Sequence, residues 1–562
     1  MKKRTPVLLA ILATVAALSV CQGTRAVADL VLLEGRVWTG ESARPWAEAV
    51  AVRGERIVGV GTSKEIGRLI GLDTRVINLE GKLVLPGFID SHTHFLDGGM
   101  ALLSIRLREA TSREEFVARV RDKAMELPQG EWILNGDWDQ QQFNPPDLPR
   151  RDWIDSVTPG HPVCVNRHDG HMVLVNSVAL QIAGITAATP PPPGGEIGKD
   201  PKTGEPTGIL KDAAIELVTT HIPLPTPETR LKAAAAALRL AAENGVTSTH
   251  DMAYDTGHFA VYQDLLKEGK LTCRIYLYIP IREVDLYSRL SLKTPFGNDC
   301  LKIGGLKGFV DGSLGSATAL FFEPYTDAPD TSGLFHSDMF PPGVMEERLL
   351  AADAAGLQVA VHAIGDRANA VLLDLYEKTI ARNGPRDRRW RIEHAQHLRP
   401  QDMERMARLG VIASVQPYHA VDDGRWAERK IGPERCRTTY AFRSLLDNGV
   451  TLAAGSDWTV SPLNPLAGIH AAVTRRTTDG KNPEGWYPEQ KISLEEALRA
   501  YTAGGAYAEF AETAKGKINV GYLADLVILG KNIFELPPEK IIEARVRTTI
   551  VGGRVIFDKG EY

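Results

Sequence analysis

Two histidines one residue apart, His92 and His94, stand at the end of an apolar run that begins at Leu83. Successive side chains of a β-strand point to opposite faces, so these two imidazoles project to the same side and could hold one cation. A metal site is therefore the first hypothesis. A pair of histidines without a ligand stays open as the alternative, because two residues specify little.

Further residues with metal-binding side chains follow along the chain, each in or at the end of an apolar, strand-like run. They are Lys307, His362, His394 and Asp457. The carboxyl ends of the strands of an α/β barrel meet at one rim, where barrel enzymes place their active sites. A single histidine at a strand end is usually a structural hydrogen-bonding group, but several histidines, a lysine and a carboxylate on one rim predict a metal centre.

Apolar runs alternate with helix-like stretches over most of the chain, which is the pattern of repeated βα units and a parallel sheet. The predicted strands are 83–95, 245–251, 273–281, 301–311, 357–364, 389–395, 410–417 and 450–457. This succession predicts an α/β fold, a (β/α)8 TIM barrel. The stretch from about residue 100 to residue 222 is too long for one crossover, so we expect an inserted subdomain that covers one end of the barrel.

Short alternating runs separated by turn residues fill both ends of the chain, at 29–82 and 508–562. These are strand signals with little room for helices between them. Neither end is long enough to build a core alone, so we expect the two to pair into one small composite β-sandwich domain. Residues 83–507 are then left for the barrel and its insert.

The composition of the chain is that of a folded protein that acts on small molecules. Of its 562 residues, 43% are hydrophobic and 24% are charged, which argues against disorder. The 65 Lys and Arg against 70 Asp and Glu give a net charge of −5, so electrostatic attraction to nucleic acid has no source. The cysteines are widely spaced without a C-x-x-C pair, so no disulfide framework is predicted.

The N-terminus has the pattern of a secretion signal. Basic residues at 2–4 precede an apolar run at 6–20, and the small residues at 26–28 form a cleavage site. The run is too short for a stable membrane span, so we expect residues 1–28 to be removed and the protein to be periplasmic or secreted. Lipidation of Cys21 is the alternative, although the valine before it matches a lipoprotein signal poorly.

Three motifs carry a resemblance to a known family. The segment 86–94 (PGFIDSHTH), Glu-His-Ala at 393–395 and Gly-Ser-Asp at 455–457 resemble the amidohydrolase superfamily of metal-dependent hydrolases. Their order and spacing fit nearly the whole chain after the leader. The segments at 168–171, 176–177, 307–316 and 362–366 resemble more narrowly its YtcJ-like branch, which includes N-substituted formamide deformylase.

The resemblance implies a set of metal ligands. It assigns His92 and His94 to one ion, His362 and His394 to a second, and Asp457 to contact with both metal and water. Lys307 would bridge the ions as N6-carboxylysine, because an ammonium has no lone pair for a cation whereas a carbamate supplies two anionic oxygens. An ordinary lysine beside a one-metal site stays open. Imidazole and carboxylate ligands favour Zn²⁺, with Mn²⁺, Fe²⁺ or Co²⁺ as substitutes.

The implied activity is hydrolysis of a non-peptide carbon–nitrogen bond in a small molecule, with N-acyl and N-formyl amides as candidate substrates. The metal would activate water as hydroxide, and Asp457 would accept the proton as general base and return it to the leaving nitrogen. A metal-assisted isomerase or esterase on the same fold is one alternative. A non-catalytic exported binding or regulatory protein is another, although every expected ligand position is filled.

Four more residues are candidates for substrate contact, and each has a structural alternative. His171 and Trp138 lie in the insert, where Trp138 could instead build the core. His250 ends the second predicted strand and could be a packed structural histidine. Asp311 follows the fourth and could cap a helix. The resemblance also suggests a homodimer by analogy, but no stripe in the sequence indicates an interface.

Overall fold

The computed structural model describes residues 27–560, and its centre is a nearly closed barrel of parallel strands. The barrel strands are Phe88–Thr93, Val246–Met252, Arg274–Pro280, Leu301–Phe309, Gln358–Ala363, Arg391–His394, Ile412–Val415 and Leu452–Ala454. Each pairs with the next in chain order. The first and last strands meet where Asp457 N donates to His92 O at 2.7 Å. The predicted (β/α)8 barrel is confirmed.

The barrel strands are buried on both faces, as parallel strands covered by helices must be. All seven residues of Arg274–Pro280 are buried, for example. The surrounding helices are Phe95–Leu102, Pro227–Glu243, Gly257–Lys267, Val284–Arg289, Val344–Ala354, Asp366–Asn383, Pro400–Leu409, Pro417–Asp423, Ala427–Cys436, Phe442–Asp447, Pro465–Thr474, Leu494–Arg499 and Gly505–Ala508. The Thr226 side chain caps the second of them by accepting from Thr229 N.

Two further sheets lie at the ends of the described chain, one built from the N-terminal end alone and the other from both ends. One sheet has the order Arg56–Gly61, Ala49–Arg53, Leu30–Leu33, Arg75–Asn78, and the other has the order Arg554–Asp558, Val546–Val551, Leu526–Leu529, Leu83–Pro86, Arg36–Trp38, Trp46–Ala47. Residues from both ends share one apolar cluster, which includes Leu30, Val50, Leu526 and Ile550. The ends of the chain therefore form one β unit beside the barrel.

The first predicted strand, 83–95, is divided between these two units. Its first part, Leu83–Pro86, pairs with Leu526–Leu529 in the composite sheet, and only Phe88–Thr93 belongs to the barrel. Gly87 is the junction, where a Cβ atom would lie 2.3 Å from the hydroxyl of Thr247. The chain passes from one sheet to the other through a site that has no room for a side chain, so the barrel begins later than the predicted residue 83.

The insert after the first barrel strand has its own sheet and its own apolar clusters. The sheet has the order Gly195–Lys199, Pro206–Asp212, Met172–Val175, Val163–Asn166, Ile133–Leu134, and the accompanying helices are Arg113–Glu126, Arg151–Ile154, Ser177–Ile182 and Glu216–Thr219. One cluster contains Phe116, Trp138 and Leu174, and a second contains Cys164 and Leu210. The insert is therefore a folded unit with a core on each side of its sheet.

A buried ion pair joins the third barrel strand to the composite domain. Arg274 donates to Asp525 through Nε at 2.7 Å and through Nη2 at 2.9 Å. Loss of one partner leaves the other charge buried and unpaired, which costs about 3–5 kcal/mol. We expect Asp525→Asn to lower the free energy of unfolding by about that amount in urea titrations without changing the metal content of the folded protein. An unchanged urea midpoint would contradict this role.

The described residues bear on the predictions about membrane spans and disulfides. No helix among residues 27–560 is both long and apolar enough to cross a membrane. Cys164, Cys273, Cys300 and Cys436 are free thiols. The predicted secretion signal, apart from its last two residues, and Cys21 lie outside the described range, so export and lipidation stay predictions.

Candidate metal centre

The predicted metal-binding side chains share one cavity of about 350 Å³. His92, His94, Lys307, His362, His394 and Asp457 all line it. Asp457 is the common neighbour, because its Oδ1 lies 3.5 Å from Nε2 of His92 and 3.5 Å from Nε2 of His94. Its Oδ2 lies 3.9 Å from Nδ1 of His394. A carboxylate is thus placed among imidazole nitrogens from two other strands.

His362 and Lys307 complete this side of the cavity. The ring centroid of His362 lies 4.6 Å from that of His394. Its Nε2 donates to the carbonyl of Gly312 at 3.0 Å, which leaves the lone pair on Nδ1. The Nζ of Lys307 is buried without a hydrogen-bond partner and lies 4.7 Å from the ring centroid of Phe309. The two residues therefore offer one free imidazole nitrogen and one free amine.

Burial sets the charge state of these groups. It lowers the pKa of His92 and His362 well below the usual value and that of His394 to about 3, so the imidazoles are neutral. Burial alone would raise the pKa of Asp457, but the imidazoles of His92 and His94 outweigh it and hold that pKa well below its usual range. A deprotonated carboxylate and neutral imidazoles are the forms that bind metal ions.

Buried nitrogens without hydrogen-bond partners lie around the carboxylate of Asp457. Nε2 of His92, Nζ of Lys307 and Nε2 of His419 are buried and make no hydrogen bond to the described residues. Each such group costs about 1–3 kcal/mol if it stays unsatisfied. A divalent cation fits this donor set, because imidazole nitrogens and a carboxylate oxygen are the common ligands of Zn²⁺ and related ions.

His419 is a member of the cluster that the sequence did not reveal. It lies in the helix Pro417–Asp423, and its Nε2 is 3.9 Å from Oδ2 of Asp457. Its ring is stacked parallel to that of His394 at 6.3 Å. The predicted strand ends at residue 417, so strand-end positions do not include a histidine on the following helix. The available signal was its position just beyond a strand end, where barrel enzymes place functional residues.

The backbone is strained at two of the candidate ligands. His394 has φ of 74°, the next residue Ala395 has 43°, and Asp457 has 57°. A residue with a Cβ atom costs on the order of 1–3 kcal/mol in such a conformation, and these conformations cluster at functional sites. The sixth and eighth strands therefore end in turns that aim side chains into the cavity at a cost in stability.

A buried carboxylate and guanidinium support His92 from within the barrel. Nδ1 of His92 is hydrogen-bonded to Glu393, and Oε1 of Glu393 lies 2.7 Å from Nε of Arg391. All three side chains have no solvent exposure or almost none. A carboxylate on the second nitrogen of a ligating histidine fixes the ring orientation and the tautomer. Glu393 therefore leaves Nε2 of His92 free to face Asp457.

The hydrogen-bonded network of Glu393 and Arg391 extends to His250, away from the cavity. Nη1 of Arg391 donates to Nδ1 of His250 at 2.7 Å. Burial lowers the pKa of His250 to about 4, so the neutral ring carries its proton on Nε2, 3.6 Å from Oε1 of Glu509. Glu509 lies 2.6 Å from Nζ of Lys515. His250 does not line the cavity, so its position favours the structural alternative to substrate contact.

His171 is placed at the cavity, whereas Trp138 is not. His171 lines the cavity, with its ring centroid 5.1 Å from that of His362 and its Nδ1 2.6 Å from Oδ1 of Asp212. Trp138 is fully buried in the core of the insert and donates its indole N–H to the carbonyl of Val165 at 2.8 Å. Substrate contact is geometrically open to His171, and the position of Trp138 favours core packing.

Asp311 holds loops together below the cavity rim. Its carboxylate accepts backbone N–H groups from Leu320, Ile364 and Gly365 at 2.8–3.0 Å. The last two residues directly precede the helix Asp366–Asn383. Asp311 does not line the cavity, and the helix has no side-chain cap, so its contacts favour a structural role in holding these loops rather than substrate binding or helix capping.

Gly455 is required by the close approach of the first and eighth strands. A Cβ atom there would lie 2.5 Å from N of His92 and 2.8 Å from Oδ1 of Asp90. Because this contact would displace the strand that carries His92, we expect Gly455→Ala to lower metal affinity by about 10–100-fold, measured by metal titration. Gly67→Ala is the control, because nothing lies within 4 Å of its added Cβ. Equal affinity in both variants would contradict this account.

Comparison with known proteins places this chain in one family over most of its length. The profile of the amidohydrolase family matches residues 75–557. The chain is 41% identical over 546 residues to Protein LONG AFTER FAR-RED 3 of Arabidopsis thaliana, covering 94% of this chain and 92% of that protein. It is 33% identical over 521 residues to YtcJ of Bacillus subtilis strain 168, covering 91% and 96%. It is 26% identical over 553 residues to the N-substituted formamide deformylase of Arthrobacter pascens, covering 94% and 98%.

A solved structure agrees with these matches. An uncharacterised metal-dependent hydrolase from Pyrococcus horikoshii OT3 aligns with a TM-score of 0.74 at 27% sequence identity, covering 91% of this chain and 99% of that chain. The family match covers the barrel and the C-terminal strands of the composite domain. The resemblance predicted from the three sequence motifs is therefore confirmed, and the chain belongs to the amidohydrolase family of metal-dependent hydrolases.

Proposed function

We propose that this protein hydrolyses a non-peptide carbon–nitrogen bond of an amide, with N-acyl and N-formyl compounds as candidate substrates. The observation that carries the proposal is the placement of Asp457, a carboxylate 3.5 Å from the imidazoles of His92 and His94 on the wall of a cavity. The relative named N-substituted formamide deformylase supports an amide bond as the target. Metal-assisted isomerisation and ester hydrolysis are the rival chemistries.

The residues present fit a zinc centre. His92, His94 and Asp457 would hold one ion, with His362 and His394 available for a second. Such a cation would lower the pKa of a bound water towards neutrality and polarise the scissile carbonyl. His419 lies against the same carboxylate as His394, and its unpartnered Nε2 makes it a further candidate ligand.

Lys307 is proposed to be the bridging N6-carboxylysine. Its side chain is buried, and burial lowers the pKa of its amine to about 8. The neutral amine is the form that can add to carbon dioxide, and the resulting carbamate has two oxygens to offer. An ordinary lysine beside a one-metal site is the alternative, and metal stoichiometry separates the two.

Proton transfer in the proposed reaction is assigned to Asp457. Its low pKa keeps it deprotonated at neutral pH, which is the state a general base needs. It accepts the proton of the attacking water and returns it to the nitrogen of the leaving amine. Glu393 has a positioning role, because it holds the ring of His92 through Nδ1.

A paired substrate screen tests the proposed function. The purified protein, supplied with Zn²⁺, is incubated with N-formyl and N-acetyl amines and with the esters of the matching alcohols, and the released amine or alcohol is quantified. Release of amine is the expected result. Turnover of esters alone, or rearrangement of a substrate without uptake of water, would contradict amide hydrolysis and favour a rival chemistry.

We also propose that the protein is exported. The support is the N-terminal sequence, with basic residues at 2–4, the apolar run at 6–20 and the small residues at 26–28. N-terminal sequencing of the protein from a secreting host tests this, and the expected first residue is Asp29. An intact N-terminus after expression would contradict it.

A further inference from the structure

One face of the insert's sheet forms part of the cavity wall. Leu134 and Cys164 are direct partners on neighbouring strands. Cys164 also pairs with Val175 on the next strand, and Val173 lies two residues before Val175. Alternate residues of a strand share a face, so the side chains of Leu134, Cys164 and Val173 stand on the same side of the sheet. All three line the cavity together with Ile215 and Ile222. We call these five residues the insert face.

The insert face leaves apolar surface towards the cavity. Leu134, Ile215 and Ile222 are only half-buried, and they pack on the same cluster as the buried Cys164 and Val173. Apolar surface that lines a cavity favours a ligand with an apolar group, because the contact removes both surfaces from water. The cavity therefore has a region suited to an apolar substituent as well as the metal centre.

Among residues 27–560, no arginine or lysine that lines the cavity is free to bind an anionic substrate. Arg167 and Lys307 are the only arginine and lysine among the described residues that line it. Arg167 is already bound to Asp169 at 2.5 Å, to Asp139 at 3.2 Å and to Gln140 at 2.8 Å. Lys307 belongs to the metal centre. His171, the insert's histidine beside the metal cluster, is bound to Asp212 at 2.6 Å.

Carboxylates outnumber these cations on the cavity wall. Besides Asp457, the lining includes Asp97, Asp137, Asp169, Asp422 and Asp423. A carboxylate on the substrate would find no cationic partner on this wall, because the metal centre would bind the scissile amide. Burial of a charge without a partner is strongly unfavourable, so the wall discriminates against anionic substrates.

We propose that the substrate is an amide whose nitrogen carries an uncharged, apolar substituent, and that this substituent contacts the insert face. Amides that carry a carboxylate, such as N-acyl amino acids, are poor substrates. This inference rests on the proposed amide hydrolysis. In that reaction the carbon–nitrogen bond breaks as a carbon–oxygen bond forms, and water supplies the hydroxyl to the acyl carbon and the proton to nitrogen. No further reactant is needed.

Three formamides separate the two features of the substrate. N-Phenethylformamide and N-formylphenylalanine differ by one carboxylate, and N-ethylformamide lacks the aromatic ring. We expect kcat/KM for N-phenethylformamide to exceed both others by at least about 10-fold, as an apolar pocket discriminates. A preference for N-formylphenylalanine, or equal values for all three, would overturn the inference.

A substitution on the insert face tests whether the apolar substituent of the substrate binds there. Ile215→Lys should lower kcat/KM for N-phenethylformamide by about 10-fold more than kcat/KM for N-ethylformamide, and it should narrow the difference in kcat/KM between N-phenethylformamide and N-formylphenylalanine. Ile182→Lys is the matched control, because Ile182 is 45% exposed in the same insert and does not line the cavity. Ile215→Ser replaces the lysine variant if that variant does not fold. Equal effects of the substitutions at 215 and 182 would overturn the location.

Binding of the formamides, measured by calorimetry, tests this inference independently of the proposed hydrolysis. The Asp457→Asn variant is titrated with the same three formamides, so that binding is measured without turnover. Tightest binding of N-phenethylformamide supports the insert face as the subsite, and tightest binding of the carboxylate compound overturns it. If no amide is hydrolysed by the wild-type protein, the proposed function fails and these binding constants alone decide the inference.

Discussion

Asp457→Asn is expected to lower kcat for amide hydrolysis by about 10²–10⁴-fold, the usual contribution of a general acid–base group. The substitution keeps the size of the side chain and removes its negative charge. Oδ1 of Asp457 faces His92 and His94 at 3.5 Å, so the asparagine can still occupy the site but cannot accept a proton. The measurement is steady-state kinetics together with metal analysis of the same preparation.

Asp137→Asn is the control for this prediction. Asp137 lines the same cavity but is hydrogen-bonded to Asn166 at 2.6 Å and is not part of the metal cluster. We expect its kcat to stay within a few-fold of the wild-type value. Loss of activity in Asp457→Asn with metal retained would also argue against a non-catalytic binding protein. An Asp457→Asn enzyme with more than a tenth of wild-type kcat would contradict the proposed role.

Glu393→Gln is expected to affect both stability and metal binding. Glu393 is the anionic partner of Arg391 and is hydrogen-bonded to Nδ1 of His92, with no solvent exposure. A neutral amide leaves the guanidinium buried and unpaired, which should lower the free energy of unfolding by about 3–5 kcal/mol. The orientation of His92 becomes less fixed, so metal affinity should fall by about 10–100-fold. Urea unfolding and metal titration measure the two effects.

Asp525→Asn provides the matched comparison, because it breaks a buried ion pair of the same kind outside the cavity. Both variants should lose similar stability, but only Glu393→Gln should lose metal affinity. If the two variants bind metal equally well, Glu393 contributes to the fold alone and has no positioning role at the metal centre.

The barrel could be predicted from the sequence because its strands are buried on both faces and therefore form apolar runs separated by polar loops. The exception is informative. The run from Leu83 to Thr93 is continuous in sequence, yet Gly87 divides it between two sheets. The close contact of Gly87 with Thr247 is made across the fold, so no local pattern could reveal it.

The candidate ligands could be predicted because strand ends of a barrel meet at one rim. His419 is not at a strand end but on the helix that follows, so the strand pattern does not indicate it. For His250 the sequence leaves substrate contact and a structural role both open, because strand position does not show which partners a side chain meets inside the barrel. His250 meets Arg391, which is distant in sequence. The insert face combines Leu134, Cys164 and Ile215 from separate segments, so only the fold reveals it.

The central claim is a lysine-bridged metal centre, and the most direct test is metal content per chain by elemental analysis. The wild-type protein and Lys307→Ala are purified without chelator, with bicarbonate added to a parallel wild-type sample. We predict two ions per wild-type chain and one or fewer in Lys307→Ala. One ion in both would contradict the bridge and make Lys307 an ordinary residue, and a wild-type chain without metal would contradict the metal centre itself.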